Sequence, residues 1–118
     1  MDANLRVFKH LDNNGLNVYF PNSNQEEVKE PMVIVKDMGQ YQQYGNREVG
    51  STLIHLILHT TQDDYTQIIK LRDDVKTKML DLKGFIRPTG FETPIINDDT
   101  KNSYTLSIEY EVKKRLFN

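Results

Sequence analysis

The chain contains no cysteine among its 118 residues. This absence excludes disulfide bonds and metal sites that are built from thiolates. The chain also has no run approaching the roughly 18 apolar residues that cross a membrane, and its N-terminus, MDANLRVFKHL, has no apolar region of the signal-peptide type. We therefore expect a protein that folds in the cytoplasm and is held together by side-chain packing or by assembly.

The chain also has no excess of basic residues. The chain has 15 basic and 17 acidic residues and a formal net charge of −2, whereas nucleic-acid-binding surfaces carry a basic stripe or patch. Hydrophobic residues make up 37% of the chain, and they recur periodically, which is typical of a globular protein rather than a disordered one. The length is that of one ordinary domain. We expect a single domain over residues 1–118 and no nucleic-acid recognition.

Motifs of catalysis and phosphate binding are missing as well. No serine or threonine lies in a nucleophile motif, and the glycine-containing segment GQYQQYGNREVG lacks the lysine and the spacing of a P-loop. Glu109 and Glu111 lie about 7 Å apart on one face of a predicted strand, a separation that suits a glycosidase. The charged, solvated face of a strand explains them more simply. We predict a protein that is not an enzyme, with no catalytic residue and no cofactor.

Two histidines allow a metal-site interpretation. His55 and His59 in TLIHLILHT are followed by Asp63 and Asp64, and on a helix two histidines at this spacing can share a zinc ion. The alternating apolar residues favour a strand instead, where positions four apart are separated by roughly 13 Å. Ligands that bind one zinc ion at about 2 Å cannot be so distant. We predict partly exposed strand histidines and no metal site.

The most regular pattern in the chain predicts a long amphipathic helix from Thr61 to Gly84. Thr61 is the predicted N-cap, and Gly84 after Lys83 is the predicted left-handed C-cap. The apolar residues recur at intervals of three and four, which places them on one side of a helix. This stripe consists of Ile68, Leu71, Val75, Met79 and Leu82, with Tyr65 extending it by one turn.

The remaining elements predict a sheet for that helix to cover. Residues 2–14 are predicted to form a short helix with the stripe Leu5, Phe8 and Leu11 before Gly15, and LNVYF, MVIVKDM and TLIHLILHT are predicted strands. The segment FIRPTGFETPII, with its two prolines, suits an irregular edge strand. From Tyr104 to Lys113, apolar and polar residues alternate, as in a strand with one buried face. The predicted fold is α+β, with a mainly antiparallel sheet, one long amphipathic helix packed on one face, and a short N-terminal helix.

The connection GQYQQYGNREVGS is the best candidate surface for a partner. It is longer than a hairpin turn needs, so either the flanking strands continue into it as a protruding hairpin or it is a true loop. Tyrosine and arginine are enriched at protein interfaces. The predicted partner-binding residues are Gln40, Tyr41, Gln42, Gln43, Tyr44 and Arg47.

Taken along its length, the chain resembles the small tail-terminator, or tail-completion, proteins of long-tailed bacteriophages. The resemblance lies in an N-terminal helix leading to NVYFP, the strand PMVIVKDMG, then TLIHLILHTTQDD running directly into a helix, then KGF and the closing strand YTLSIEYEV. It implies an α+β subunit of the virion, assembled in the host cytoplasm. Because that family varies greatly in sequence, no residue role is carried over.

The resemblance also implies partners. Such subunits form a ring, commonly a hexamer, at the head-proximal end of the tail tube, where they stop tail growth and offer a surface to the head. The expected partners are other copies of the chain, the tail tube protein, and a head-completion or connector protein. Another head-to-tail joining protein of the same virion is the nearest variant of this function. A small regulatory or ligand-binding α+β domain is the alternative.

Overall fold

Six strands form one sheet, and two helices pack on one of its faces. The computed structural model describes residues 3–21, 28–42 and 49–115. In chain order the elements are α1 (Ala3–Asn13), β1 (Val18–Tyr19), β2 (Met32–Gln42), β3 (Val49–Thr61), α2 (Tyr65–Met79) with a 3-10 turn (Leu80–Leu82), β4 (Arg87–Glu92), β5 (Ile96–Asp98) and β6 (Ser103–Arg115). The predicted α+β class is therefore confirmed.

The sheet is mixed. Its strands are ordered β1-β2-β3-β6-β4, and β5 also pairs with β6. The strands β2, β3, β6, β4 and β5 pair antiparallel, whereas β1 runs parallel to β2 through Val18 and Tyr19. Residues 20–31 connect β1 to β2, and a connection longer than a hairpin turn permits the parallel arrangement.

The helix α2 is shorter than predicted at its start. Thr61 is the last residue of β3 and pairs with Ser103 of β6, so its prediction as N-cap is wrong. The cap is Asp64, whose Oδ1 accepts a hydrogen bond from the backbone N–H of Thr66 at 2.9 Å. The strand ladder keeps the chain extended for longer than the local sequence signals indicated, because each paired residue satisfies backbone groups that a helix would otherwise have to satisfy.

The end of α2 also differs from the prediction. Met79 is followed by a 3-10 turn from Leu80 to Leu82, and Lys83 ends that turn with right-handed backbone angles. Among the residues that the structure describes, the glycines with positive φ are Gly15, Gly39 and Gly90. Gly84 is therefore not the left-handed cap that the sequence predicted.

The predicted stripe of α2 is buried in the core, except at its first position. Tyr65 is 49% exposed and contacts Tyr104 edge to face, with 5.2 Å between the ring centroids. The stripe packs on the face of β3 that contains Ile54, Leu56 and Leu58, which is the face predicted to lie against the helix. The fully buried or nearly buried stripe residues are Ile68, Leu71, Val75, Met79 and Leu82.

The predicted stripe of α1 is confirmed at Phe8 and Leu11, which lie in or against the core, but not at Leu5. The buried residues of α1 are Asn4, Val7 and Leu11, whereas Leu5, assigned to the predicted stripe, is 37% exposed. The helix packs against β1 and β2 and approaches the end of α2. There His10 Nε2 donates a hydrogen bond to the carbonyl of Lys78 at 2.8 Å. The two residues are 68 positions apart, so a local pattern does not contain this contact.

The segment after α2 forms the irregular sheet edge that its prolines predicted. Both β4 and β5 pair with β6, and the register of β4 shifts between Pro88 and Glu92. Gly90 lies inside this shift with a φ of +95°. Glycine tolerates that angle without the steric penalty that other residues incur.

His59 is buried, so its prediction as a partly exposed histidine is wrong. Its side chain is near the end of β3, where its Nδ1 lies 3.2 Å from Ser103 Oγ. Burial lowers the pKa of His59, nearby Lys101 lowers it further, and Asp98 acts in the opposite direction. The folded protein therefore keeps this imidazole neutral over a pH range in which the unfolded chain takes up a proton.

We expect the melting temperature to fall as the pH is lowered from 7.5 through the ordinary histidine pKa of 6.5, because protons bind preferentially to the unfolded chain. A His59→Gln variant has no imidazole at this position to take up a proton. Its melting temperature should therefore fall less steeply between pH 7.5 and 5.5. Calorimetric melting curves of both proteins across that range measure the difference. Equal slopes for the two proteins would contradict the assignment to His59.

Candidate functional site

Three of the six predicted partner-binding residues lie at one end of the sheet. Gln40, Tyr41 and Gln42 belong to β2 and pair with Thr52, Ser51 and Gly50 of β3. Of the two alternatives for this connection, the continued strands are therefore confirmed. Gln43, Tyr44 and Arg47 lie outside the described residues, and the structure does not test them.

The long strands exceed α2 in length. The strands β3 and β6 have 13 residues each, or about 43 Å at 3.3 Å per residue. The helix α2 has 15 residues and its 3-10 turn has 3, which together span roughly 27 Å. The last three residues of β2 and β6 and the first three of β3 form what we call the tip. It consists of Gln40–Gln42, Val49–Ser51 and Lys113–Arg115.

Both outer edges of the tip are open within the described part of the chain. The strand β1 pairs with β2 only at Val33 and Ile34, and the pairing of β4 with β6 reaches no further than Glu111. Open strand edges present backbone donors and acceptors in a row, which makes them suitable for pairing with another chain. The tip is thus a three-stranded ribbon with one edge formed by β2 and the other by β6.

A bulge separates the tip from the covered part of β2. The register of β2 against β3 shifts between Asp37 and Gln40. Gly39 adopts a φ of +89°, and its backbone N–H donates to Asp37 Oδ1 at 2.7 Å. Bulges of this kind bend a strand and increase its twist. The bulge is therefore positioned to turn the β2 edge of the tip relative to the rest of the sheet.

The sheet face away from the helices holds the two glutamates that were considered as an acid pair. Glu109 Oε2 accepts from His55 Nε2 at 2.8 Å, and Glu109 Oε1 accepts from the hydroxyl of Thr89 at 2.8 Å. These hydrogen bonds lower the pKa of Glu109. Glu111 accepts from Arg87 Nε at 2.9 Å. A glycosidase acid needs a raised pKa, so the environment of Glu109 is the reverse of what that chemistry requires.

A groove runs between the end of α2 and the edge strand β4. It encloses about 400 Å³. Leu80 and Phe91 are among its lining residues and are 63% and 53% exposed. Burial and the charge of Glu92 raise the pKa of Tyr110, which also lines the groove, to about 12. The apolar lining residues are Met79, Leu80, Ile86, Pro88, Phe91 and Ile108.

The rim of the groove is mainly cationic. Lys76 Nζ lies 2.7 Å from Glu92 Oε2, and Arg87 is paired with Glu111. Lys83 forms no ion pair with any residue that the structure describes. An apolar groove with this rim favours a partner that offers apolar side chains together with negative charge.

A second apolar surface lies at the opposite edge of the sheet, beside β1 and β2. Leu5 and Phe20 are 37% and 38% exposed, and the ring of Phe20 stacks on Phe8 with 4.6 Å between centroids. Together with Pro21 and Asp37 they border a shallow hollow. We call Leu5, Phe20, Pro21 and Asp37 the edge patch.

The sequence did not single out the groove or the edge patch. Leu5 was assigned to the buried stripe of α1, so local periodicity placed it on the wrong side. Leu80 departs from the stripe of α2 and Phe91 lies in the predicted edge strand, and these two apolar residues outside the predicted core are the signal that could have pointed to the groove.

The described residues include no group of three or more histidine, aspartate or glutamate side chains that could hold a metal ion. His55 and His59 lie on one strand, as predicted, and each has its own partner, Glu109 and Ser103 respectively. Among the residues that the structure describes, no helix is long and apolar enough to span a membrane.

Comparison of the chain with known protein families finds no matching family, and comparison with curated proteins finds no relative. The functional interpretation therefore rests on the resemblance in pattern and on the surfaces described above.

Proposed function

We propose that the chain is a non-enzymatic virion assembly protein of a long-tailed bacteriophage. In this proposal, copies of the chain form a ring, commonly a hexamer, that caps the head-proximal end of the tail tube. The ring terminates tail growth and helps to join the tail to the head. It assembles in the host cytoplasm, and its partners are the tail tube protein and a head-completion or connector protein.

The observation that carries the proposal is the tip. Its strands continue past α2, and both of its outer edges are open within the described residues. A strand edge of this kind pairs readily with a strand of another subunit. The predicted partner-binding residues Gln40, Tyr41 and Gln42 belong to the strand that forms one of these edges.

Ring formation also constrains which surfaces of the subunit can meet. A closed ring of identical subunits needs two different surfaces that fit each other head to tail. The strand order β1-β2-β3-β6-β4 places β2 toward one edge and β6 with β4 toward the other. The two edges differ in sequence and in exposed side chains, which suits a head-to-tail contact.

Combined replacement of Tyr44 and Arg47 by alanine should weaken self-association by about tenfold or more, because tyrosine and arginine often dominate interface energetics. The matched control is Lys70→Ala on the solvent side of α2, which should leave association unchanged. Native mass spectrometry across a concentration series gives both values. Equal association of the double variant and the control would show that these two residues do not contribute.

One observation favours a second candidate, the small ligand-binding domain. The groove volume of about 400 Å³ lies within the range of small-molecule sites. The mainly cationic rim would suit an apolar carboxylate. Saturable one-to-one binding of a medium-chain fatty acid in calorimetry, lost in a Leu80→Lys variant, would favour this function over the ring.

A further inference from the structure

The end of α1 places an asparagine directly before a glycine. Asn14 and Gly15 follow the last helical residue, and both are exposed to solvent. Gly15 has a φ of +86°. Its N–H donates to the carbonyl of Asp12 at 3.1 Å, and the N–H of Leu16 donates to the carbonyl of Leu11 at 3.2 Å. These two bonds form a Schellman motif, whose left-handed position favours glycine. The glycine after Asn14 is therefore a consequence of how α1 ends.

The absence of a side chain on Gly15 opens a reaction between the backbone and the side chain of Asn14. The backbone nitrogen that follows an asparagine can attack the side-chain amide carbon and close a five-membered ring, and a side chain on the following residue hinders that approach. At Gly15, no atom of any described residue other than its two chain neighbours lies within 4 Å of the position that a Cβ would occupy. Crowding around Gly15 therefore does not block the ring closure.

Two hydrogen bonds slow this ring closure in the folded chain. Asn14 Nδ2 donates to the carbonyl of His10 at 2.7 Å. The attacking nitrogen of Gly15 is the one that donates to the carbonyl of Asp12. Both bonds lie at the end of an 11-residue helix, and helix ends open more readily than helix centres. Opening of this last turn releases the amide and the nitrogen together.

We propose that Asn14 is a site of spontaneous deamidation. The backbone nitrogen of Gly15 bonds to Cγ of Asn14 and gives up its proton, the C–N bond of the side-chain amide breaks, and ammonia leaves. Water then hydrolyses the succinimide ring at either of its two carbonyls. One product is aspartate, and the other is isoaspartate, in which the backbone runs through the former side-chain carbon. Water is the only co-reactant, and nothing is oxidised or reduced.

Both products weaken the attachment of α1. The new carboxylate cannot donate to the carbonyl of His10, and it adds negative charge at a helix C-terminus, where the dipole is already negative. His10 also connects α1 to α2, since its Nε2 lies 2.8 Å from the carbonyl of Lys78. Isoaspartate in addition inserts an extra backbone atom into the connection between α1 and β1. Deamidation should therefore loosen α1 from the rest of the domain.

Peptide mapping by mass spectrometry of the full-length chain, aged in warm and mildly alkaline buffer, tests the site. Asn13 and Asn17 are the internal controls, because they precede an asparagine and a valine whose side chains hinder the attack. Asn14 should lose its amide before either control. In guanidinium chloride its rate should rise about tenfold or more, because two hydrogen bonds no longer have to open. Loss of the Asn13 or Asn17 amide before that of Asn14 in the folded chain would overturn the proposal.

A full-length Asn14→Asp variant reproduces the aspartate product and tests its effect. Its melting temperature should fall by about 2 to 6 °C, because a hydrogen bond is lost and the charge opposes the helix dipole. The matched control is Asn13→Asp, which introduces the same charge one residue earlier and keeps the hydrogen bond from Asn14 to His10. Its melting temperature should fall less. Equal melting temperatures of the two variants would contradict the proposed loosening of α1.

Discussion

Replacing Val75 by aspartate should unfold the protein. Val75 lies at the centre of the α2 stripe and is completely inaccessible to solvent. The change removes a buried apolar side chain that contributes about 1.5 to 3 kcal/mol, and it places an unpaired charge in the core, which costs several kcal/mol more. Domains of this size are typically stable by about 5 to 15 kcal/mol. The expected loss is thus a large part of the total free energy of unfolding.

Thermal unfolding followed by circular dichroism measures this effect. The matched control is Thr77→Asp, which introduces the same side chain on the exposed side of the same helix and should cost less than about 1 kcal/mol. The Val75→Asp protein should show no cooperative transition, or one at a much lower temperature. An unchanged melting temperature would refute the position of α2 on the sheet.

The sequence predicted the parts of the fold that depend on local periodicity. The stripe from Ile68 to Leu82 has the 3.6-residue period of a helix packed on a core, and all five of its residues are buried. In β6 the predicted alternation is also present, since Leu106, Ile108 and Tyr110 are buried on the helix side. These patterns arise because one face of each element is covered and the other is solvated.

The predictions that failed depend on neighbours distant in the chain. Thr61 is paired with Ser103, and that partner keeps it in the strand. Leu5 and Asn4 are adjacent in α1, and which of the two faces inward depends on where α1 lies beside α2. His59 is buried where the end of β3 meets Ser103. A local window contains none of these partners.

The candidate surfaces also differ in how far the local sequence predicted them. The composition of the connection after Gly39 pointed to the tip, but it left hairpin and loop as equal possibilities. The pairing of β3 with β6 out to Arg115 explains why the strands continue there, because a third strand supports the ribbon. The groove combines residues from Lys76 to Tyr110, and its two walls are separate segments that only the fold brings together.

Under the proposed function, loss of the chain should change the length of phage tails. A tail tube elongates by adding subunits to its growing end, so a ring that caps this end must limit growth and prepare it for the head. A virus in which the gene is disrupted should therefore produce tails without heads, with a broad spread of lengths that extends beyond the normal value. The number of infectious particles should fall by orders of magnitude.

Plasmid-borne copies of the gene provide the controls. The wild-type chain should restore a single tail length, and so should Lys70→Ala, which alters only an exposed side chain of α2. The Val75→Asp chain should fail to restore it, because it does not fold. These comparisons separate loss of the protein from effects on neighbouring genes.

The most direct test of the proposed function is the distribution of tail lengths in lysates of the disrupted virus, measured by electron microscopy. Capping of the tube predicts overlong tails of variable length without the chain and one uniform length when the chain is supplied. Tails of normal, uniform length that still join to heads in its absence would contradict the proposal that this subunit terminates the tail.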